Sequence, residues 1–533
     1  MPTPSPTHDP SPADPLTGTH EDTARLRSLG YDPRLRRGLG VRGNLAMGLA
    51  TTSPVVGLYG VALVGLTVAG GTWVWALPVA LAGQACLVSV YAELAGRFPV
   101  AGGAYQWTRR VVPGPALAWL TGWLSVCAYL AANTTIAYLA APWAWALAGR
   151  TPTPVALVLT AVAFLVVCSA ANARGIDTLR RLVSAGIAAE VVASLGVGVV
   201  LLLAARLQHP SVLLDALGSG ALFDGSTTSA TLAVLAVAGW AFLGVDACTA
   251  TSEETRDAAR HVPHAVWGAL LSVGAIVLLD AVAVTLAHPD PAAVVAGADL
   301  DPVTTAVVHG FGTWSGKPFA ALVLTAFLAC GLAAQGATAR TAWSMARDRV
   351  LPGSAHLRRL NARLNARRAP VGALTVVTVA GATGLLLALD ATAIGSLTVF
   401  GTACAYLVFL LIALAALAGR LTGRWRPAGS ARRVRTGLVL NVLAVLWLAF
   451  EFVNTAWPRT VLAPPGAPWY QVWAGVLVTG LAVAAGAAHL ALARPDRLVA
   501  RAASFGAVPV QGAGERAWTA RVRRGPAVRA TSR

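Results

Sequence analysis

The sequence has little charge and almost no lysine, methionine or cysteine. Only 12% of its 533 residues are charged, 56% are hydrophobic, and the mean hydropathy is +0.64. A water-soluble protein of this size cannot bury so large an apolar fraction, so the composition excludes one. The chain therefore needs a lipid bilayer as its solvent.

Cysteine and histidine are too scattered to form a metal or redox centre. The six cysteines stand singly in separate apolar runs, without the paired spacing of zinc sites or disulfide frameworks, and we interpret them as small core residues. The nine histidines lie mostly in tails, loops and the ends of apolar runs, and the sequence has no HExxH motif. We therefore predict no cofactor, no metal and no enzymatic activity.

Long apolar runs dominate the rest of the chain. Twelve of them are long enough to cross about 30 Å of hydrocarbon as helices. They begin near Asn44, Thr72, Ala116, Pro154, Leu182, Thr228, Val262, Pro318, Pro370, Thr392, Gly437 and Tyr470. This pattern predicts an all-α membrane protein with twelve transmembrane helices, a basic N-terminal tail over residues 1–42 and a basic C-terminal tail over residues 495–533.

The formal charge of +18 is distributed unevenly between the two sides of such a bundle. On the side of the two termini lie 37 of the 41 basic residues, and the exceptions are Arg150, Arg206, Lys317 and Arg459. Basic loops stay in the cytosol, so we predict a multi-pass protein of the cell membrane with both termini cytoplasmic. Because the charge is spread over seven loops and tails, it faces anionic lipid headgroups and does not predict binding to nucleic acid.

Two runs contain sequences that favour a broken helix. Residues 51–60 read TTSPVVGLYG, in which Pro54 removes a backbone donor and the glycines permit close approach of a ligand. Residues 239–246 read GWAFLGVD and combine two glycines with aromatic residues and an acid. A proline kink and simple glycine packing are the respective alternatives. Spans one and six cross in opposite directions, as an inverted repeat of five plus five helices requires.

The two candidate breaks define a predicted substrate site. Broken helices present free NH and CO groups, so a ligand carboxylate is expected at the amides of Val56 to Leu58 and its amine at carbonyls near Thr52 and Trp240. Trp240 and Phe242 are expected to pack against the rest of the ligand. The predicted site comprises Thr52, Ser53, Val56, Gly57, Leu58, Trp240, Phe242, Gly244 and Asp246.

Four acidic residues lie deep in apolar runs, where a charge is costly and function is the default explanation. Glu190 is predicted to couple transport to a proton gradient by reversible protonation, with a neutral structural acid as the alternative. Asp246 either binds the substrate amine or braces the break by accepting NH bonds from the second half of span six, and we favour the brace. Asp280 and Glu451 have no second feature around them, so no role is predicted for them.

Four stretches of the chain resemble bacterial permeases of the amino acid/polyamine/organocation superfamily. They are AELAGRFPVAGGAYQW from residue 92, LGYDPRLRRGLGVRGNLAMG from residue 29, FLGVDACTATSEETRDAARHVP from residue 242 and ARTAWSMARDRVLP from residue 339. The resemblance covers roughly residues 25–495. The runs TTSPVVGLYG and GGTWVW are most similar to the amino acid/choline transporter branch, which includes systems for γ-aminobutyrate and choline.

The resemblance implies a permease that moves amino acids or related amines by alternating access, driven by protons, sodium or exchange. It implies a first repeat over residues 43–206, a second over 228–418, and two added helices over 437–494, with broken helices 1 and 6. A choline or polyamine carrier, which needs an aromatic cage and an intramembrane acid, is the main alternative. A membrane amino-acid sensor is a weaker one, because it usually needs an output domain.

Overall fold

The structure is a computed structural model that describes residues 20–32, 35, 37–223, 225–364, 370–389, 393–425, 431–463 and 466–494. The C-terminal tail and most of the N-terminal tail predicted above lie outside these residues. The helices of the first half are α1 His20–Ser28, α2 Val41–Thr52, α3 Pro54–Ala69, α4 Ala76–Arg97, α5 Gly103–Val111, α6 Pro115–Ala148, α7 Pro154–Ala173, α8 Ile176–Val191, α9 Val197–Ala204, α10 Thr227–Ala238 and α11 Ala247–Ala250. Those of the second half are α12 Ala258–Ala287, α13 Pro291–Val295, α14 Pro302–Phe311, α15 Gly316–Arg347, α16 Ser354–Leu364, α17 Val371–Gly384, α18 Ala393–Leu421, α19 Ala431–Ala456, α20 Trp469–Val472 and α21 Ala474–Ala493.

Membrane-crossing segments account for most of this architecture. Within the described residues, 11 helical segments are long and apolar enough to cross a membrane, so the protein is a helical multi-pass membrane protein. One of them, Val41–Arg97, has 57 residues, which as a single helix would be roughly 85 Å long and would cross the hydrocarbon more than twice. It contains α2, α3 and α4, where the sequence predicts spans one and two. The total of twelve spans and the repeat symmetry stay predictions.

The bundle presents apolar side chains outward and packs small residues inside. Leu159, Val379 and Leu481 are each at least 60% exposed, which suits a surface in contact with lipid. Inside, a Cβ added at Gly186 of α8 would lie 2.1 Å from the Cβ of Ala329 in α15. Small residues allow membrane helices to approach this closely, and the gain is van der Waals contact.

The first interruption of a membrane helix is confined to one residue. Ser53 has φ 45° and ψ 102°, so it ends α2 and begins α3, and its hydroxyl accepts a hydrogen bond from the NH of Val56 at 3.2 Å. Pro54 occupies the first helical position, where its missing NH is no loss and its fixed φ suits the helix. The break is thus narrower than the predicted 51–60, because a serine cap and a proline restart the helix at once.

The second interruption is longer. After α10 the chain forms a 3₁₀ turn over Gly239–Phe242, then four non-helical residues over 243–246, and becomes helical again at Ala247. Gly244 has φ +106°, a conformation that residues with a side chain rarely adopt. The predicted break at 239–246 therefore coincides with this irregular segment.

An asparagine ties the first broken helix to the second. The side-chain NH₂ of Asn44 in α2 donates to the carbonyl of Cys248 at 2.9 Å, and to the hydroxyls of Thr251 at 2.9 Å and Thr255 at 3.0 Å. Asn44 is fully buried. Because the hydrocarbon supplies no water to bond these groups, the asparagine fixes α2 relative to α11 and the residues that follow it.

A buried ion pair joins the end of the second broken helix to α15. The guanidinium of Arg340 donates to both carboxylate oxygens of Glu254, one of them at 3.0 Å, and its third bond goes to the carbonyl of Gly336 at 2.8 Å. Both side chains are about 95% buried. A buried pair of this kind is costly to break on one side only, since the remaining charge has no partner.

We predict that Arg340→Met destabilises the protein by about 3 kcal/mol, because it leaves Glu254 buried and unpaired. The thermal unfolding temperature of the purified protein in detergent, followed by size-exclusion fluorescence, measures the effect. The double variant Arg340→Met/Glu254→Gln should recover most of the loss, since neither residue is then charged. A double variant no more stable than the single one would contradict this account.

Candidate functional site

A cavity lies where the two interruptions meet. It encloses about 950 Å³ of empty space, part of it open to solvent, and its walls are mainly apolar. The lining comes from both broken helices and from α4, α5, α6, α15 and α18. The lining residues are Thr51, Thr52, Val56, Tyr91, Gly103, Ala104, Ala128, Tyr129, Ala132, Asn133, Ile136, Trp240, Leu243, Gly244, Asp246, Ala247, Thr249, Ala250, Cys330, Ala334, Ala337, Thr338, Thr341, Gly401, Ala405 and Phe409.

Five of the nine residues predicted to form the substrate site line this cavity. They are Thr52, Val56, Trp240, Gly244 and Asp246. The two helices that the sequence places 190 residues apart thus contribute to one space. Such a largely apolar pocket with a few polar groups is typical of a small-molecule site.

The other four predicted residues lie just behind the cavity wall. Gly57 packs against the second break, where an added Cβ would be 3.0 Å from the Cα of Ala241. Leu58 lines a separate, smaller cavity on the far side of α3. Phe242 is fully buried in the core. These positions shape the site by packing, because a helix presents only one face to a cavity.

Ser53, the fourth, connects the first break with α8. Its hydroxyl donates a short hydrogen bond to the Glu190 carboxylate, and the same carboxylate oxygen lies 3.4 Å from the NH of Val55. The NH groups of Val56 and Gly57 are bonded to the hydroxyl and the carbonyl of Ser53 at 3.2 and 2.8 Å. A carboxylate of the protein itself therefore sits at the positive end of α3, where the sequence predicts the substrate carboxylate.

Asp246 is the acidic residue among the described residues that line the cavity. Its carboxylate accepts a short hydrogen bond from the hydroxyl of Tyr129 in α6 and is 7% exposed. No side-chain hydrogen bond caps α11, which begins at the next residue. The favoured interpretation of Asp246 as a brace that accepts NH bonds from the second half of span six is therefore not what the structure shows. The carboxylate points across the cavity to α6 and is available to a ligand.

The opposite wall carries polar residues that sequence reasoning missed. Asn133 donates to the hydroxyl of Thr338 and to the carbonyl of Tyr129, both at 2.7 Å, and its side-chain oxygen is buried and makes no hydrogen bond to any residue that the structure describes. Tyr129 and Asn133 are four residues apart, so they share one face of α6. Two polar residues at this spacing inside an apolar run could have been recognised from the sequence as candidate site residues. The spacing does not show which helix they face.

Trp240 limits the cavity at one end. Its indole packs on α3 at Gly60, where an added Cβ would lie 2.5 Å from two ring atoms. The other end of the lining reaches Gly103 at the start of α5 and Thr249 in α11. By chain connectivity, this second end belongs to the side of the bundle that carries α5 and most of the basic residues.

Comparison with known proteins yields one family and several relatives. A family model described as amino acid permease matches residues 45–481. Two uncharacterized amino-acid permeases of Schizosaccharomyces pombe are 25% identical over 71% of this chain and 70% of their own length, and 24% identical over 82% and 81%. The amino-acid permease BAT1 homolog of Oryza sativa subsp. japonica is 33% identical, but the match spans only 25% of its length and 23% of this chain.

We predict that Gly57→Ala and Gly244→Ala each impair ligand binding, because the first new Cβ meets the backbone of Ala241 and the second meets the carbonyl of Thr51 at 2.9 Å. Gly244 adds the strain of its positive φ, which costs about 1 kcal/mol or more for alanine. Binding is measured on the purified variants by isothermal titration calorimetry. Gly480→Ala, where an added Cβ has open space, is the control and should bind normally. Normal binding by both test variants would contradict the placement of the site.

Proposed function

Because the chain belongs to the amino acid permease family, we propose that it moves amino acids or related amines across the cell membrane by alternating access. It is a multi-pass membrane permease and not an enzyme. The observation that carries the proposal is the cavity between the two interrupted helices, with one carboxylate, Asp246, in its wall. Secondary transporters bind their substrates at such interruptions.

Asp246 is proposed to bind the substrate amine. An ammonium group that replaces or joins the Tyr129 hydroxyl on this carboxylate gains a charge-assisted hydrogen bond in a cavity largely shielded from water. Three aromatic residues of the lining, Trp240, Tyr91 and Phe409, then contact the rest of the molecule. Their faces also attract a cation.

The substrate carboxylate is proposed to compete with Glu190 for the start of α3. Glu190 is 2% exposed and its carboxylate already occupies the positive end of that helix through Ser53 and Val55. Two carboxylates at one site repel each other, so binding of the substrate favours protonation of Glu190. In this mechanism, binding of one substrate molecule is coupled to binding of one proton, although the two do not touch. Coupling to sodium and exchange of substrates are the alternatives.

The orientation follows from the distribution of the basic residues. With both termini in the cytosol, Trp240 closes the cavity on the outer side and the end near α5 faces the cytosol. The exposed aromatic residues Trp75, Trp314, Trp457 and Trp469 lie in connections on the outer side, as expected of residues at the membrane surface.

A choline or polyamine carrier is the second candidate, and one observation favours it. Among the described residues that line the cavity, Asp246 carries the only charge, and no lysine, arginine or histidine is present to receive a carboxylate. A cation without a carboxylate would bind Asp246 and the aromatic residues and leave Glu190 in place. Whether a carboxylate is required of the substrate therefore separates the two candidates.

We predict that Asp246→Asn weakens binding of the transported amine about 10- to 100-fold, the value of a charge-assisted hydrogen bond. Tyr129→Phe, which keeps the carboxylate and removes its hydroxyl partner, should weaken binding far less. Dissociation constants of the purified proteins provide the measurement. Equal affinity of Asp246→Asn and the unaltered protein would contradict the assignment.

We also predict that the reconstituted protein accumulates an amino acid when an inward proton gradient is applied, and that Glu190→Gln loses this accumulation but keeps exchange of labelled for unlabelled substrate. Exchange needs no release of the proton, whereas accumulation does. The screen should include γ-aminobutyrate, neutral and basic amino acids, choline and putrescine. Uptake of choline or putrescine alone would favour the second candidate, and accumulation by Glu190→Gln equal to that of the unaltered protein would contradict proton coupling at this residue.

A further inference from the structure

A second buried carboxylate lies close to Glu190. Asp280 in α12 is 3% exposed, and one of its oxygens accepts a short hydrogen bond from the hydroxyl of Ser194. Ser194 follows Glu190 by four residues, within the π turn Val192–Gly196 that interrupts the helix between α8 and α9. Residues four apart lie on the same side of a helix, and π turns are frequent at functional sites.

Both carboxylates have one oxygen without a partner. Oε2 of Glu190 and Oδ1 of Asp280 are buried and make no hydrogen bond to any described residue. The two groups also interact electrostatically with each other. A buried ionised carboxylate without enough partners is costly, so such a group is normally protonated or bonded to water.

Asp280 faces a small cavity that is separate from the substrate cavity. It lies between α3, α9, α12, α14 and α15, contains about 310 Å³ of empty space, part of it open to solvent, and has room for a water molecule. Its lining is apolar except for Tyr59, Ser194 and Asp280. Val55, whose NH is bonded to Glu190, is also part of the lining and places the cavity beside the first break.

The other end of this cavity reaches a connection between membrane helices. The hydroxyl of Tyr59 lies 3.3 Å from that of Thr304 in α14, and Asp301 caps the same helix by accepting the NH of Thr304 at 3.2 Å. Burial raises the pKa of Asp301 above its usual range. Just beyond it, Asp299 pairs with His288 at 2.9 Å. Titratable side chains thus continue from Tyr59 into this connection, which the proposed orientation places outside the cell.

We infer that Asp280 is a second proton-binding site, which passes protons between Glu190 and the outer surface through the cavity lined by Ser194 and Tyr59. In one transfer, a hydronium ion in the cavity protonates Oδ1 of Asp280 and leaves as water. The acid then gives that proton to an intervening water, which passes one of its own protons to Oε2 of Glu190. Asp280 is again a carboxylate and Glu190 is neutral. The inference depends on the proposed function, in which Glu190 takes up the coupling proton.

The position next to Asp280 is reserved for a residue without a side chain. A Cβ at Gly198 in α9 would lie 2.1 Å from Oδ1 of Asp280. Any side chain there would displace this oxygen, which makes no hydrogen bond to a described residue. Apart from Glu190 in α8 and Tyr59 in α3, four titratable groups lie along this path among the described residues. Cys330 in α15 interacts with Glu190, and Asp301, Asp299 and His288 lie at or near the start of α14. Neither α2 nor α4 contributes a side chain to the lining.

The test uses the full chain in liposomes that contain a pH-sensitive dye, so that substrate entry and proton entry are recorded together. We expect Asp280→Asn to slow substrate-driven proton entry on the order of a hundredfold, the contribution of a positioned proton-transfer group. Exchange of labelled for unlabelled substrate should stay within about twofold, because exchange needs no proton release. Gly198→Ala and Tyr59→Phe should slow proton entry in the same direction.

Controls separate the inference from the proposed function. Glu451→Gln removes another fully buried carboxyl, in α19 and away from this cavity, and should leave both rates unchanged. If Glu190→Gln loses proton entry while Asp280→Asn, Gly198→Ala and Tyr59→Phe all retain it, the path through Asp280 is wrong and coupling at Glu190 stands. If the unaltered protein transports substrate without proton entry, both are wrong. If these three variants lose exchange as well as proton entry, Asp280 has a structural role. That result would also overturn the inference.

Discussion

This structure depends on one constraint, which is that every backbone NH and CO group inside a bilayer needs a hydrogen-bond partner. The hydrocarbon offers no water, so a helix that is interrupted at mid-membrane must find partners for its free NH and CO groups within the protein. Here the two interrupted helices lie beside each other, and Asn44 ties α2 to the segment around Cys248. At the first break, Ser53 and Glu190 satisfy the donors of α3. These side chains satisfy backbone groups of the two breaks on the side away from the cavity. The remaining backbone of the breaks faces the cavity.

The two acids near the breaks have different roles in the proposed mechanism. Glu190 satisfies the start of α3 and, in the proposed mechanism, is the group whose charge changes during transport. Asp246 has the other role, since its carboxylate bonds to Tyr129 across the cavity and does not cap α11. One acid therefore bonds to the break behind the cavity wall, and the other lies in the wall itself. In the proposed mechanism, this division links binding of the substrate to binding of a proton without requiring that both use one carboxylate.

Sequence patterns predicted the helical membrane fold and the two places where a membrane helix is interrupted, because Pro54, the glycines and the apolar runs act through local geometry. They overestimated the first break, since a serine cap and a proline at the first helical position restart the helix within one residue. They assigned no role to Asp280, because its partner Ser194 and the residues that line the cavity beside it come from other helices and are not its neighbours in sequence. The facing of Leu58 and Phe242 away from the cavity likewise depends on helix rotation, which a single sequence does not specify. The number of spans and the inverted repeat rest on the sequence pattern and the resemblance.

The position of the bound substrate tests the central claim most directly. A cryo-electron microscopy structure of the protein with its transported amino acid should show the amine within hydrogen-bond distance of the Asp246 carboxylate, about 3 Å, and the molecule between the breaks at Ser53 and Gly244. Its carboxylate should approach the start of α3, with Glu190 no longer bonded to Ser53. Density for the substrate outside this cavity, or an amine that contacts neither Asp246 nor the break carbonyls, would contradict the account.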